Sequence, residues 1–307
     1  MTSNEFMVRD EIDITLGLSK NLAANHRTTN GRATTPGSSL ASEEYVLATG
    51  AAAVRRLFTL HNVYSDAGRR ILSKAGIRPG MRIADFGCGV GLVTRMLAEM
   101  TGPGGRVVGI DVHAAQLEQA ARICESGGFR NVSFHHADAC RTGLERESFD
   151  LVYCRFLLLH LRDPGTCLRE MHDVLKPGGI LVVEDGDLAS AESIPPTAVN
   201  LFAELFTRLG PKLGLDYTLG RKLFHLVKAA GFAKPEIEIH QPALTRGDNR
   251  FLLKWSVEEA GPALVSAGLI SREELAWKLA DMQAAAEDPD VLVLAPRMSV
   301  VWARKDL

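Results

Sequence analysis

Between residues 81 and 184 the chain alternates short apolar runs with segments whose apolar positions recur at helical spacing. The predicted strands are Met81–Phe86, Arg106–Ile110, Val132–His136, Phe149–Cys154 and Ile180–Glu184. The predicted helices between them are Leu92–Met100, Ala114–Glu125 and Gly165–Leu175. This alternation is typical of parallel strands joined by crossover helices that cover both faces of a sheet. The sequence therefore predicts a doubly wound α/β fold.

The regions on either side of this core have different patterns. Residues 1–42 are predicted to be a flexible lead-in, because their second half is small, polar and broken by glycine and proline. Residues 43–76 predict two or three helices that form an N-terminal cover, and residues 77–307 predict one α/β domain. Helical insertions are expected at about 190–217 and 247–288. The closing segment Ser299–Ala303 predicts a last, antiparallel strand beside Glu236–His240, in a mostly parallel sheet of seven strands.

Composition excludes several classes of function. The chain has 35 Lys and Arg against 37 Asp and Glu, so it lacks the basic surplus that binds nucleic acid. The five cysteines form no C-x-x-C pair, and the carboxylates that follow the fifth predicted strand lack histidine partners, so neither disulfides nor a metal site is predicted. There is no secretory signal pattern and no apolar run of roughly 18 residues. We therefore expect a cytoplasmic protein without a membrane span.

The strongest local motif is a glycine-rich turn at the end of the first predicted strand. It has the sequence DFGCGVG, from Asp85 to Gly91, and leads directly into a predicted helix. Glycines at such a turn let the backbone approach a ligand without interference from side chains. Dinucleotide-binding enzymes favour G-x-G-x-x-G, whereas the third glycine here comes one residue early. The turn therefore indicates a nucleotide-like ligand, and its spacing disfavours a nicotinamide cofactor.

Carboxylates follow the first three predicted strands. Asp85 places a negative charge at the glycine turn, where it can order a cationic amino group. Asp111 follows the second strand and can accept two hydrogen bonds from a ribose diol. Asp138 follows the third strand and can accept from an adenine amino group, while the Ala139 amide contacts a ring nitrogen. Together these residues predict a site for an adenosine-containing cofactor.

The motifs DFGCGVG, GID, HADA, FDLVYC and LKPGG occur in this order over about residues 77–184. In this arrangement the chain resembles the class I S-adenosylmethionine-dependent methyltransferases, in the bacterial branch that includes ubiquinone/menaquinone methyltransferase-like enzymes. The resemblance implies a Rossmann-like fold, S-adenosyl-L-methionine as cofactor and S-adenosyl-L-homocysteine as product. Menaquinone-type enzymes are usually more compact, whereas this chain carries a long helical insertion between its last two strands, and this difference argues against a quinone substrate.

The resemblance also implies contacts to each part of the cofactor. The positions implied are Gly87, Cys88 and Gly89 for the methionine moiety, Asp111 for the ribose, Val112 and Gln116 beside the adenine, Asp138 and Ala139 at the adenine edge, Cys154 and Arg155 near the amino acid moiety, and Tyr45 in an N-terminal helix that folds over the cofactor. For Arg155, a role as a surface cation is the alternative. Cys88 is interpreted as a small residue that fits a crowded turn rather than as a nucleophile.

Methyl transfer is an in-line displacement, which requires alignment and exclusion of water more than covalent help. An oxygen or nitrogen acceptor must also lose a proton, and His160 and His61 are the candidate catalytic bases, with Tyr64 as a further candidate. His160 follows the fourth predicted strand, near the position where such folds bind substrate. The alternative for His160 is a core histidine at the start of a helix.

The acceptor is predicted from the apolar insertions. Phe202, Phe206 and Tyr217 form a stripe at helical spacing, which is typical of core but favours a hydrophobic or aromatic small molecule if it faces the cleft. The leading hypothesis is methylation of a small organic acceptor at oxygen or nitrogen in secondary metabolism. The alternatives are C-methylation of a quinone or isoprenoid, a non-catalytic cofactor-binding protein and a nicotinamide oxidoreductase. The insertions fit either a lid over the cleft or a homodimer surface.

Overall fold

The computed structural model describes residues 51–307, with side chains from Val54 onward. Ten strands lie in this range, and they are β1 (Arg82–Phe86), β2 (Arg106–Asp111), β3 (Val132–His136), β4 (Phe149–Arg155), β5 (Leu175–Asp187), β6 (Glu192–Ile194), β7 (Glu236–His240), β8 (Ala243–Leu244), β9 (Leu292–Leu294) and β10 (Arg297–Arg304). The α-helices of the same range are α1 (Ala51–Ala75), α2 (Leu92–Thr101), α3 (Ala114–Ser126), α4 (Pro164–Val174), α5 (Leu201–Leu213), α6 (Leu223–Ala229), α7 (Leu252–Ser266) and α8 (Arg272–Glu287).

Seven strands form the central sheet, in the order β3-β2-β1-β4-β5-β10-β7. Strands β1 to β5 pair in parallel, and β10 lies antiparallel between β5 and β7. This confirms the predicted doubly wound, mostly parallel sheet and the antiparallel return of the last strand. The order reverses between β1 and β4, and ligands bind at such a point outside the carboxyl ends of the strands.

Strand β5 begins earlier than predicted. Phe149 of β4 pairs with Leu175, but Leu151 pairs with Ile180, so the LKPGG segment lies in a register irregularity between two paired stretches. Gly178 adopts a φ of 74°, which favours glycine and fits the predicted turn there. A second, three-stranded sheet of β6, β9 and β8 is an addition that the sequence pattern did not predict, because its strands are only two or three residues long.

The described part of the predicted N-terminal cover is one helix. Residues 51–75 form the single helix α1, and the earlier part of the predicted cover lies outside the described residues. The helix contains one glycine, Gly68, and a Cβ built there would lie 2.9 Å from Oε1 of Glu184 in β5. Gly68 therefore lets α1 pack closely on the carboxyl end of the sheet instead of ending the helix.

Helices from three parts of the chain meet above the carboxyl end of the sheet. Helix α1 contacts α7, and α5 contacts α7. Residues of α5 and α7 that face inward are largely apolar and fully buried, and they include Leu205, Leu209, Val257 and Leu264. The insertions predicted at about 190–217 and 247–288 thus cover the sheet edge where strand order reverses. The division of the chain into a lead-in, a cover and a main domain stays a prediction.

Candidate functional site

A cavity of about 260 Å³ lies between the glycine turn, α1 and the covering helices. One end is formed by the glycine turn and the residues after β2. The other end is apolar, and its walls include Leu188, Phe202, Phe206, Leu215, Leu252 and Leu253. His61, Arg155 and His160 also line it, as does Arg56, which the sequence analysis did not single out. The cavity therefore joins the predicted cofactor site to an apolar chamber.

The glycine turn forms the floor of the cavity. Gly87 and Gly89 have φ values of 69° and 53°, in the left-handed region that glycine tolerates best. A Cβ on Gly87 would lie 2.8 Å from Cδ1 of Leu157, so this position also has no room for a side chain. The Cys88 thiol is buried, which raises its pKa well above the ordinary value and keeps it protonated. This environment fits the interpretation of Cys88 as a small residue in a crowded turn.

Asp111 joins the second strand to the glycine turn. Its Oδ2 accepts a hydrogen bond of 2.9 Å from the Gly89 amide, and its Oδ1 accepts one of 2.9 Å from the His113 amide. Each carboxylate oxygen can accept a further bond. Asp111 lines the cavity together with Val112 and Gln116. The carboxylate is therefore held in place by the backbone and directed toward the cavity.

We expect Asp111→Ala to weaken binding of S-adenosylhomocysteine by more than tenfold, about 1.4 kcal/mol, because a charge-assisted pair of acceptors is lost. Calorimetric titration of the purified variant measures this loss. Since Asp111 also supports the turn, thermal unfolding of the variant without added compound is the control. Unchanged affinity in a folded variant would remove Asp111 from the cofactor site.

Asp85 lies deeper than the sequence indicated. Its side chain is 2% exposed and accepts a hydrogen bond of 2.6 Å from the Thr94 hydroxyl. It does not line the cavity, so the prediction that it carries charge to the edge of the turn is wrong for this conformation. Burial raises the pKa of Asp85 to about 7, although the Thr94 hydrogen bond and the charge of Arg155 act in the opposite direction. The apolar pattern of the strand could not show that Asp85 is buried, because the pattern does not locate the face on which helix α2 packs.

The raised pKa of Asp85 has a consequence for stability. Between about 4 and 7 the folded state retains a proton that the unfolded chain has lost, so wild-type stability falls as pH rises through this window. An asparagine does not titrate, so its contribution to stability does not change with pH in this window. We expect the stability gained by Asp85→Asn, relative to wild type, to grow by about 1.4 kcal/mol between pH 5.5 and 6.5. Urea unfolding at both pH values measures it, and a gain independent of pH would show that Asp85 titrates normally.

The other implied cofactor residues fall into two groups. Gly87, Cys88, Gly89, Asp111, Val112, Gln116 and Arg155 line the cavity, whereas Asp138, Ala139 and Cys154 do not. Asp138 is exposed and accepts a hydrogen bond of 2.7 Å from the Cys140 amide within its own turn. Ala139 and Cys154 are buried. Tyr45 lies outside the described residues, so the structure does not bear on its predicted contact.

His61 and Arg155 form a pair across the cavity wall. Arg155 Nη2 donates to Nδ1 of His61 at 3.0 Å. Burial, reinforced by the charge of Arg155, lowers the pKa of His61 well below its ordinary value. The ring is therefore neutral with its accepting nitrogen already engaged, which leaves Nε2 as a donor. This arrangement disfavours His61 as a base. Nη1 of Arg155 is buried and has no hydrogen-bond partner in the protein.

His160 lies at the end of a 3₁₀ turn, Leu158–His160, that follows β4. Asp185 fixes this turn, since its Oδ2 accepts a hydrogen bond of 3.2 Å from the Leu159 amide. The His160 ring meets Tyr217 edge to face with ring centres 5.8 Å apart. Burial, together with the charge of Arg56, lowers the pKa of His160 to about 3. The ring is thus neutral at pH 7 and faces the cavity.

Tyr64, the further candidate, is buried, and its hydroxyl donates a hydrogen bond of 2.7 Å to the Pro296 carbonyl.

Arg56 and Glu259 form an ion pair beside the apolar end of the cavity. Nε of Arg56 donates to Oε2 of Glu259 at 2.8 Å, and the two side chains are 4% and 7% exposed. Helix α1 supplies the arginine and α7 supplies the glutamate. No local pattern predicts this pair, because 203 residues separate its members and neither belongs to a motif.

The aromatic stripe is divided between cavity and core. Phe202 and Phe206, whose ring centres are 4.7 Å apart, line the cavity, whereas Tyr217 packs behind Phe206 at 5.4 Å. Part of the stripe therefore faces the cleft.

From Ala51 to Leu307, no helix has the length and hydropathy needed to cross a membrane. In the same range no three His, Cys, Asp or Glu side chains are grouped as metal ligands.

Comparison with known proteins adds independent information. Residues 77–211 match a family model described as a methyltransferase domain. Demethylmenaquinone methyltransferase of Staphylococcus aureus is 30% identical over 178 residues, which cover 58% of this chain and 70% of that protein. A provisionally assigned methyltransferase of Bacillus halodurans C-125 is 19% identical, with a TM-score of 0.55 over 78% of this chain and 98% of that chain. A further structure is phosphoethanolamine N-methyltransferase 2 of Haemonchus contortus, solved with phosphomonomethylethanolamine and S-adenosylhomocysteine. It is 19% identical, with a TM-score of 0.53 over 82% of this chain and 57% of that chain.

The two structural likenesses support the fold, and the curated relative supports the family. The matched domain begins just before β1 and ends within α5, so it contains the glycine turn, Asp111 and His160. These findings confirm the resemblance drawn from the sequence motifs. The chain belongs to the class I S-adenosylmethionine-dependent methyltransferases, and S-adenosylmethionine is its cofactor.

Proposed function

We propose that this enzyme methylates a hydroxyl oxygen of a small, largely apolar acceptor bound at the α5–α7 end of the cavity. The observation that carries the proposal is a neutral histidine, His160, facing a chamber whose other walls are mostly leucine and phenylalanine. A role in secondary metabolism, predicted from the family, stays a prediction.

The cofactor end has the groups that S-adenosylmethionine requires. We assign the ribose hydroxyls to Asp111, the methionine moiety to the glycine turn and the methionine carboxylate to Arg155, and all three line the cavity. Bound here, the cofactor supplies an electrophilic methyl group. The protein's own task is then to align an acceptor oxygen and exclude water from the chamber.

The size and lining of the cavity favour a small acceptor. Sites for drug-sized ligands usually measure about 300–1,000 Å³. The cavity measures about 260 Å³ and must also contain the cofactor end. A compact ring or short chain fits this space better than a long isoprenoid. Phe202 and Phe206 offer aromatic faces to such a ring.

The pKa of His160 limits what this residue can do. A phenol titrates near 10, about 7 units above the value of about 3 for His160, so the histidine does not deprotonate a resting hydroxyl. The hydroxyl becomes strongly acidic only as its oxygen bonds to carbon. We therefore assign His160 the role of accepting the hydroxyl hydrogen bond, which orients the oxygen, and of receiving the proton late in the transfer.

C-methylation of a quinol is the second candidate. The similarity to demethylmenaquinone methyltransferase favours it. Against it, the match to the family model ends at residue 211, within α5, so α7, which supplies Leu252 and Leu253 to the apolar chamber, is not part of that match. The cavity volume of about 260 Å³ also favours an acceptor smaller than a prenylated quinol.

The two candidates differ in the atom that receives the methyl group. We would incubate the enzyme with methyl-¹³C S-adenosylmethionine and a panel of small phenols, enolisable ketones and a prenylated naphthoquinol. Carbon NMR of the products separates O-methyl from C-methyl groups. The proposal predicts O-methyl products from small acceptors. Methylation of the quinol at carbon, with no O-methyl product from any small acceptor, would contradict it.

A further inference from the structure

Arg56 is an unusual residue for the wall of an apolar chamber. Leucine and phenylalanine side chains form most of the chamber, with His160 and Ser256 among them, yet Arg56 lies in its wall and almost fully inside the protein. Burying a charged group costs several kcal/mol unless it is paired and hydrogen-bonded. Glu259 supplies the pairing charge, but through a single hydrogen bond. Packing alone does not explain a cation at this position, since an apolar residue would fill the wall at lower cost.

The geometry of the pair leaves part of the guanidinium available. Nε is the nitrogen that bonds Glu259, so the two terminal nitrogens are not used by that contact. These nitrogens form a planar fork that matches the two oxygens of a carboxylate. Arg56 lines the cavity, so a carboxylate bound in the chamber would meet this side chain.

Arg155 and Arg56 belong to opposite ends of the cavity. Arg155 hydrogen-bonds His61, and its charge acts on Asp85 beneath the glycine turn, so it belongs to the cofactor end. Arg56 is held by Glu259 of α7, and its charge acts on His160, so it belongs to the acceptor end. The cofactor carboxylate is thus served by Arg155, and Arg56 remains for a second anion.

We propose that Arg56 binds a carboxylate carried by the methyl acceptor and so selects small hydroxy acids. This inference rests on the proposed function, because it assigns the apolar chamber to the acceptor. The carboxylate lies on the guanidinium fork while the hydroxyl of the same molecule lies at His160. Glu259 holds the fork in place and is a positioning residue. The positive charge of the cofactor sulfonium adds to the attraction for an anionic acceptor.

The experiment compares matched acids and amides as probes. Protein saturated with S-adenosylhomocysteine is titrated with 4-hydroxybenzoate, salicylate, 4-hydroxyphenylacetate and 4-hydroxycinnamate, and with the carboxamide of each. We expect wild type to bind at least one acid more than tenfold more tightly than its amide. In Arg56→Gln this preference should disappear, with affinity for S-adenosylhomocysteine unchanged. The double variant Arg56→Gln, Glu259→Gln avoids an unpaired buried carboxylate, which protects the test if the single variant does not fold.

Arg55 provides the matched control. It is the neighbouring arginine of α1, about half exposed and paired with Asp248, and it does not line the cavity. Arg55→Gln should keep the acid preference. Equal binding of acids and amides by wild type, including no binding of either, would overturn the inference. So would a preference that survives in the double variant, or a loss of S-adenosylhomocysteine affinity as large as the loss for the acid.

These readouts involve no methyl transfer, so they are independent of the proposed function. If acids bind through Arg56 but the methylated atom is carbon, the proposed function fails and the anion site stands. If O-methylation occurs on neutral phenols and acids have no advantage, the proposed function stands and the role of Arg56 fails.

Discussion

Replacing Gly91 with alanine is expected to lower the free energy of unfolding by about 3 kcal/mol, from a left-handed backbone cost of about 1 kcal/mol and overpacking of about 2 kcal/mol. Gly91 has a φ of 79° at the start of α2. A Cβ there would lie 2.8 Å from Cβ and 3.1 Å from Cα of Ala120 in α3. The second atom belongs to the backbone, so rotation of a side chain does not relieve the contact. Guanidinium unfolding monitored by circular dichroism measures the change.

Gly128 is the control for this prediction. It follows α3 with a φ of 76°, and a Cβ there would meet nothing within 4 Å. Gly128→Ala should therefore show only the backbone cost, about 1 kcal/mol. Equal losses in the two variants would show that close packing between the glycine turn and α3 contributes nothing to stability.

Removing the His160 ring is expected to lower kcat about 10²-fold, because the acceptor oxygen loses both the group that orients it and its proton acceptor. His160→Ala should retain the affinity for S-adenosylhomocysteine, since the ring lies beyond the glycine turn and Asp111. Steady-state kinetics with an acceptor identified from the panel, combined with calorimetry, separates the two effects.

His160→Gln is the matched variant, because its amide oxygen can accept a hydrogen bond but takes up no proton. Partial recovery of kcat relative to alanine would assign most of the effect to orientation. Since the pKa of His160 is about 3, protonation of this ring should not reduce kcat between pH 5 and 8. Wild-type turnover in His160→Ala would leave alignment by the chamber walls as the whole mechanism.

The sheet and the glycine turn were predictable because their signals are local. Alternating apolar runs and helical periodicity specify the strands and their crossover helices, and right-handed crossovers allow few topologies. Asp111 was predictable for a related reason, since the carboxyl end of β2 adjoins the turn after β1. Predicting which residues of a motif reach the cavity was harder. Asp138 follows its strand as expected, but its turn closes on itself through the Cys140 amide and leaves the carboxylate exposed.

The parts that were missed depend on contacts between distant segments. The Arg56–Glu259 pair joins α1 to α7, and the depth of Asp85 depends on how α2 packs over β1. Glycine weakens a helix, yet the close approach of Glu184 favours Gly68 in the middle of α1, and the sequence around Gly68 does not show this contact. The predicted homodimer and the role of the lead-in residues stay predictions.

Calorimetric titration of the purified protein with S-adenosylmethionine, S-adenosylhomocysteine and NAD tests most directly whether this cavity is a methyltransferase cofactor site. The account predicts saturable binding of the first two compounds, no binding of NAD, and a loss of more than tenfold in Asp111→Ala. Binding of NAD alone, or binding of S-adenosylhomocysteine that is unaffected by Asp111→Ala, would contradict it.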